Sequence, residues 1–252
     1  MSRPAAALRG AFAFLTRLPV SGRDGDWEAF RSSPWAFPVV GVAVGALTAI
    51  PLLATETLPA PTVALGYLLA VYLVTGIHHL DGVADLGDAL VVHGDADRRR
   101  EVLSDTTTGV GALLAVSVVI TGLALGALGL AGLPVLVAIG VAVAAEVGAK
   151  LTMAALACFG TAAHEGMGSS VTSAVGPSAV ALPAVLALPV VAITWPHPAA
   201  MAALGGALIG GALPWAWARA RLGGVTGDVF GAANELGRLG GVHAGVIVWT
   251  LW

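Results

Sequence analysis

The sequence predicts an all-α fold: a polytopic transmembrane helical bundle of about six to seven spans, with an N-terminal interfacial helix, in one domain over residues 1–252. The chain is 57% hydrophobic and only 11% charged, whereas a soluble domain has about 25% charged residues. Its mean hydropathy is +0.89. Its apolar segments approach the roughly 20 residues that a membrane-spanning helix needs, and short polar segments separate them.

Residues 1–19 predict a helix that lies at the membrane interface. Leu8, Ala11 and Phe12 share one helical face, and Arg9 lies off that face. This is the pattern of a helix that rests on a bilayer. No small-residue cleavage site follows it, so a secretory signal peptide is not expected.

Apolar segments follow one another through the rest of the chain. They are residues 35–58, 62–77, 109–130, 133–159, 177–195 and 199–217, and the shorter 241–252. Pro51 should kink the first segment, and the second could continue into the next polar stretch as one helix. The last segment is too short to span alone, but it could end a longer helix that starts near residue 229. Residues 21–33, 160–176 and 219–241 are expected to be polar loops.

The placement of charge predicts the orientation of the chain. The three short turns, at residues 59–61, 131–132 and 196–198, contain no Lys or Arg. Basic residues stay on the cytoplasmic side of membrane proteins, so the long polar loops are expected to face the cytoplasm from the cell membrane. The net charge of −3 and the absence of a basic tail argue against a nucleic-acid partner.

The polar stretch that follows residue 75 carries the clearest candidate site. Asp81, Asp85 and Asp88 lie at i, i+4 and i+7, which places them on one face of a helix together with His78. Carboxylates so close together repel one another unless a cation lies between them, and hard oxygen ligands suit Mg²⁺. Asp105 is either a further ligand or the N-cap of the next span. A solvated loop and a transporter's cation or proton site are the alternative interpretations.

Other residues could bind the phosphate groups of a substrate. The run Arg98, Arg99 and Arg100 follows the aspartates and could bind phosphate oxygens. The segment GGVTGD at residues 223–228 could bring the backbone of Thr226 and Gly227 to a phosphate, with Asp228 on the metal. Alone this segment is a weak motif. Lys150 lies four residues after Glu146 and could pair with it or reach a phosphate.

Several short elements together resemble the cobalamin synthase family, the adenosylcobinamide-GDP ribazoletransferases. They are FLTRLP at 14–19, FPVVG at 37–41, HLDGVADLGD at 79–88, SDTTTG at 104–109, EGMG at 165–168 and TGDVFGA at 226–232. Thr106 stands where a Ser is usual, and Lys150 where members often carry Arg. The second change replaces a bidentate donor with a point charge.

The resemblance implies a reaction. Family members join adenosylcobinamide-GDP to α-ribazole or its phosphate, form adenosylcobalamin or its phosphate, and release GMP with the help of Mg²⁺. The base that accepts the hydroxyl proton would be His78, His79 or an aspartate such as Asp85. The lipid bilayer is the expected surrounding, and the glycine-rich residues 122–132 are compatible with a homo-oligomer. A CDP-alcohol-type phosphotransferase and a cation-coupled transporter are the alternative functions.

Overall fold

The computed structural model describes residues 3–105 and 107–252, and this part of the chain contains twelve α-helices. They are α1 (Arg3–Leu15), α2 (Asp26–Arg31), α3 (Ala36–Thr48), α4 (Ala60–Thr75), α5 (His78–Val91), α6 (Ala96–Leu103), α7 (Val110–Leu130), α8 (Val135–Phe159), α9 (Met167–Thr172), α10 (Ala181–Ala187), α11 (Ala199–Arg221) and α12 (Gly227–Leu251). Short 3-10 helices cover Ile50–Ala54, Pro177–Val180 and Leu188–Ala192. The prediction of an all-α membrane fold is confirmed.

Four segments of the described chain are long and apolar enough to cross a membrane: Ala36–Ala54, α7, α8 and α11. Counting α4 and α5 together as one broken span gives five. The helical segment Pro177–Ala192 is apolar but shorter. Large apolar side chains cover the outer faces of these helices, such as Leu114 at 62% exposure and Leu73 at 76%. Such faces are suited to lipid.

Helix α8 forms the centre of the bundle, and α3, α11 and α12 pack around it. Small residues permit these close contacts. A Cβ added at Gly45 of α3 would lie 2.7 Å from Cα of Val143, and one at Gly148 of α8 would lie 2.6 Å from Cβ of Ala207. The bundle therefore depends on glycines where helix backbones approach one another.

The glycine-rich face of α7 packs within the chain. Leu239, Val242 and Val246 of α12 lie against Gly122, Gly126 and Gly129, each within 2.9 Å of the position that a Cβ would occupy. These glycines thus allow α12 to pack closely against α7.

Helices α4 and α5 do not form one continuous helix, so that sequence expectation is wrong. The two are bent by 95°, and the break falls at Gly76, whose φ is +74°. Only glycine adopts such a conformation readily. The bend lets α5 leave the direction of α4 and lie against α7 and α12.

All three expected loops contain helical structure, and residues 160–176 include α9. Residues 21–33 include α2, whose first turn carries Asp26 and Glu28 and whose last turn carries Arg31, an arrangement that complements the helix dipole. The expected loop 219–241 ends at Thr226, because α12 starts at Gly227 and continues to Leu251. The alternative that residues 241–252 end a longer helix starting near residue 229 is therefore confirmed.

The predicted span 177–195 is interrupted. It consists of one 3-10 helix before α10 and one after it. Pro183 lies inside α10, and Pro189 is the second residue of the 3-10 helix Leu188–Ala192. Proline lacks the N–H that a continuous helix needs, so the segment cannot form one regular span.

Candidate active site

A cavity of about 340 Å³ lies between α5, the segment that follows α6, and the start of α7. Four of the five predicted metal ligands line it: Asp81, Asp85, Asp88 and Asp105. Ser104, Thr107 and Thr108 supply hydroxyl groups to the same cavity. The aspartates at i, i+4 and i+7 of α5 thus line one side of the cavity, and the loop between α6 and α7 lines the other.

Asp228, the fifth predicted ligand, comes from the N-terminus of α12. Gly82 of α5 touches this end of the helix, since an added Cβ would lie 2.6 Å from the backbone oxygen of Asp228. The Thr226 hydroxyl caps α12 by accepting the N–H of Val229 at 3.4 Å, and it donates to Asp228 Oδ2 at 3.1 Å. Asp228 repels both Asp81 and Asp85 electrostatically, so the three carboxylates belong to one negative cluster.

The Asp88 carboxylate accepts hydrogen bonds from two backbone N–H groups. Its Oδ2 accepts the N–H of Gly109 at 2.7 Å, and its Oδ1 accepts the N–H of Ala112 at 2.9 Å. These are among the first N–H groups of α7, which lack partners inside the helix. Asp88 therefore caps α7 from a neighbouring helix, a role that sequence analysis considered only for Asp105.

Asp105 stabilises a turn at the edge of the cavity. Its Oδ1 accepts the backbone N–H of Thr107 at 2.9 Å and the Thr107 hydroxyl at 2.8 Å. These hydrogen bonds hold the pKa of the Asp105 carboxyl below its ordinary value. The carboxylate is therefore ionised at neutral pH. Thr106, where the sequence departs from the family element, lies outside the described residues.

The donor set of the cavity fits Mg²⁺. Carboxylate and hydroxyl oxygens are hard ligands, and Mg²⁺ usually takes one or two carboxylates and completes its shell with waters and substrate phosphates. Asp85 is surrounded by the charges of Asp81, Asp88 and Asp228, a repulsion that a cation would relieve. Within residues 3–105 and 107–252, no group of three or more His, Cys, Asp or Glu side chains is placed to hold a metal ion.

The two adjacent histidines lie in different surroundings. His78 begins α5 and is exposed. His79 is 9% exposed, and its Nδ1 lies 3.0 Å from Nδ2 of Asn234. Because the amide nitrogen of Asn234 is the donor, Nδ1 of His79 accepts. His79 thus faces the bundle interior, and His78 remains open to solvent beside the acidic stripe.

Each of the three arginines of α6 is paired, Arg98 within the helix and the other two also with other elements. Arg98 pairs with Glu101 at 2.8 Å on the surface. Arg99 donates to the carbonyl of Ala89 at the end of α5 and lies 6.0 Å from the Trp217 ring centroid. Arg100 donates to the carbonyl of Leu222 at 2.6 Å and pairs with Asp97. These contacts tie α6 to α5 and to the end of α11.

Lys150 lies deep in the bundle and not in the cavity. It is fully buried, donates to Oδ1 of Asn234 at 2.5 Å, and lies 3.7 Å from Oε2 of Glu146. The pairing with Glu146, one of the two alternatives from the sequence, is present. Lys150 could therefore affect a substrate only through the groups that surround it.

Most of this buried network was not predicted from the sequence. Arg238 contacts Glu146 and also donates to Oε1 of Glu235 at 2.6 Å. Asn234 donates to the same oxygen at 3.1 Å, so it joins Glu235 to His79. A signal existed: Asn234, Glu235 and Arg238 recur at helical spacing within a segment that was expected to be a loop.

Comparisons with known proteins identify the family. The family model described as cobalamin-5-phosphate synthase matches residues 7–246. An adenosylcobinamide-GDP ribazoletransferase of Halorubrum lacusprofundi is 53% identical, with 97% of this chain and 98% of that protein covered. Proteins of the same name from Haloquadratum walsbyi and Methanocella arvoryzae are 42% and 35% identical, over 97% of this chain and 98% and 96% of theirs.

No solved structure matches the chain. The family match covers nearly all of the chain, including every element that lines the acidic cavity. It gives no support to the CDP-alcohol phosphotransferase and transporter interpretations. The chain therefore belongs to the cobalamin-5-phosphate synthase family.

Proposed function

We propose that this protein is an adenosylcobinamide-GDP ribazoletransferase that joins adenosylcobinamide-GDP to α-ribazole or α-ribazole phosphate. The product is adenosylcobalamin or its phosphate, and GMP is released. The observation that carries the proposal is the cavity of four carboxylates on α5 and its neighbouring loop, with Asp228 packed against the same helix. The relatives that carry this name support the assignment.

The reaction is the displacement of a nucleotide at a diphosphate. A ribose hydroxyl oxygen of the acceptor forms a bond to the phosphorus attached to cobinamide, and the bond from that phosphorus to the oxygen of GMP breaks. GMP leaves with the electron pair. The hydroxyl proton passes to a base, for which the candidates are Asp85 in the cavity lining and His78, three residues before Asp81 on α5.

The aspartates would hold Mg²⁺ for this step. Asp81 and Asp85 offer carboxylate oxygens that accept no hydrogen bond from the described chain, and Asp228 approaches them from α12. Bound there, Mg²⁺ would supply charge neutralisation for the diphosphate and its leaving group. Without a cation, the same carboxylates would repel a diphosphate, and this repulsion supports a role for one.

The membrane setting suits these substrates. We place the protein in the cell membrane with the cavity on the cytoplasmic side, because the short turns of the opposite side lack Lys and Arg. A corrin carries apolar and polar groups, and a cavity formed by helix ends near the bilayer surface can receive such a molecule.

A substrate test checks the function. Purified protein is given adenosylcobinamide-GDP, Mg²⁺ and either acceptor, and GMP and the corrinoid product are identified by mass spectrometry. We expect GMP only when an acceptor is present, and equal amounts of GMP and product. Folded protein that releases no GMP with either acceptor would refute the assignment.

A further inference from the structure

A second cavity, of about 370 Å³, lies where α8 and α11 end. Its lining is Phe159, Thr161, Trp215, Arg219, Gly223, Gly224 and Val225. It contains aromatic, cationic and backbone groups and no carboxylate, in contrast to the acidic cavity. A ligand with negative charge would therefore be repelled at the first cavity but not here.

One wall combines aromatic rings with a cation. Trp215 and Arg219 are four residues apart on α11, so they share one face of the helix. Phe159 ends α8 with half of its surface exposed. Arg219 has no hydrogen bond or ion pair to any described residue, unlike Arg99 and Arg100. Such a wall offers a surface for stacking and a free guanidinium for an anion.

The floor is a glycine loop with free N–H groups. Leu222 is right-handed at φ −108°, and Gly223 follows with φ +81°. This succession turns neighbouring N–H groups toward one concave side, an arrangement that binds anions. The N–H groups of Gly223 and Gly224 donate to no acceptor among the described residues. Gly224 must be glycine, since a Cβ would lie 2.4 Å from the Thr161 oxygen.

We propose that this second cavity binds the acceptor as an aromatic nucleoside monophosphate, with its base beside Trp215 and its phosphate at Arg219 and the Gly223–Gly224 backbone. The inference rests on the proposed function and concerns where its acceptor binds. Gly224 and Asp228 are four residues apart, at most about 14 Å along the chain. One acceptor could therefore bind here and present its ribose hydroxyl toward the acidic cavity.

The test replaces the free guanidinium. For Arg219→Gln we expect the KM for α-ribazole phosphate to rise about tenfold or more, the loss expected for one charge-assisted hydrogen bond. The KM values for α-ribazole and adenosylcobinamide-GDP should stay within about twofold of wild type, because neither loses that contact. Arg221→Gln is the matched control, since Arg221 is exposed and lies outside the cavity lining. Equal effects on both acceptors, or none, would overturn the proposal.

Direct binding separates this inference from the function it rests on. Calorimetry with α-ribazole phosphate in EDTA, without donor, should show binding to wild type and weaker binding to Arg219→Gln. A protein that binds the acceptor but releases no GMP would contradict the function alone. If wild type releases GMP, but wild type and Arg219→Gln bind the acceptor with equal affinity, this inference alone is contradicted.

A lipid phosphate is the competing occupant of the cavity. The same titrations are run in nanodiscs of phosphatidylglycerol and of phosphatidylcholine. If the acceptor binds here, the Arg219→Gln defect appears in both. If wild-type activity instead depends on phosphatidylglycerol and Arg219→Gln abolishes only that dependence, the cavity binds lipid and the proposal is wrong.

Discussion

Asp88 differs from the other carboxylates of the cavity, because both of its oxygens accept N–H groups at the start of α7. We expect Asp88→Ala to destabilise the protein by about 1 kcal/mol, the usual loss for a helix cap. Asp81→Asn should cost little stability, since that carboxylate accepts no hydrogen bond within the described chain. Thermal unfolding of both variants in one detergent provides the comparison. If Asp88→Ala is as stable as wild type, Asp88 is not a cap.

Arg238 is fully buried between two glutamates, Glu146 and Glu235. Arg238→Met would leave both carboxylates without their guanidinium, and breaking a buried pair typically costs about 3–5 kcal/mol. Chemical unfolding should show a loss of this size, with Arg221→Met as the exposed control. Equal stability of the two variants would mean that water or other groups replace the arginine.

Residues that interact over long sequence distances were the least predictable. Glu146 and Lys150 are four residues apart, so their pairing follows from helical spacing. Their partners Asn234 and Arg238 lie more than 80 positions away, and only packing brings them together. The capping of α7 by Asp88 was not predicted either. The usual cap is the residue just before a helix, whereas packing brings Asp88 to α7 from a neighbouring helix.

At the scale of elements, the contact between α5 and α12 joins the two halves of the site. Gly82→Ala would place a Cβ 2.6 Å from the backbone oxygen of Asp228, so α12 must shift away from α5. We expect activity to fall roughly 100-fold, the penalty of a small misplacement in a catalytic site. Gly205→Ala is the matched control, because nothing lies within 4 Å of its added Cβ.

The readout for this pair is GMP release together with thermal unfolding. Gly205→Ala should keep wild-type activity. A fully active Gly82→Ala would show that the approach of α12 to α5 is not needed for the reaction.

Hydropathy predicts the long helices well because burial in lipid requires one continuous apolar segment. Helices α7 and α8 begin and end within two residues of the predicted bounds. The bend at Gly76 could not be predicted in this way, since it depends on a backbone conformation. The start of α12 was expected near residue 229 only as an alternative to a loop, because Asp228, Glu235 and Arg238 make that helix appear polar, although the last two are buried in the bundle.

At the scale of the whole molecule, the proposed topology places all candidate chemistry on the cytoplasmic side. Single cysteines at Thr57 and Gly132 should react with an impermeant reagent added outside the cell, and cysteines at His93 and Glu165 should not. All four positions are exposed in the structure. The background should carry Cys158→Ala, although Cys158 is buried. The opposite labelling pattern would invert the orientation.

The central claim is that the carboxylates of α5 and α12 bind the divalent cation of the reaction. Electron paramagnetic resonance with Mn²⁺ in place of Mg²⁺ measures this directly in wild type, Asp85→Asn and the control Glu56→Gln, whose exposed carboxylate is not part of the cavity lining. We predict that wild type and Glu56→Gln bind Mn²⁺ equally, and that Asp85→Asn weakens binding about tenfold or more, as expected for the loss of one charged ligand. Unchanged Mn²⁺ affinity in folded Asp85→Asn would contradict the account.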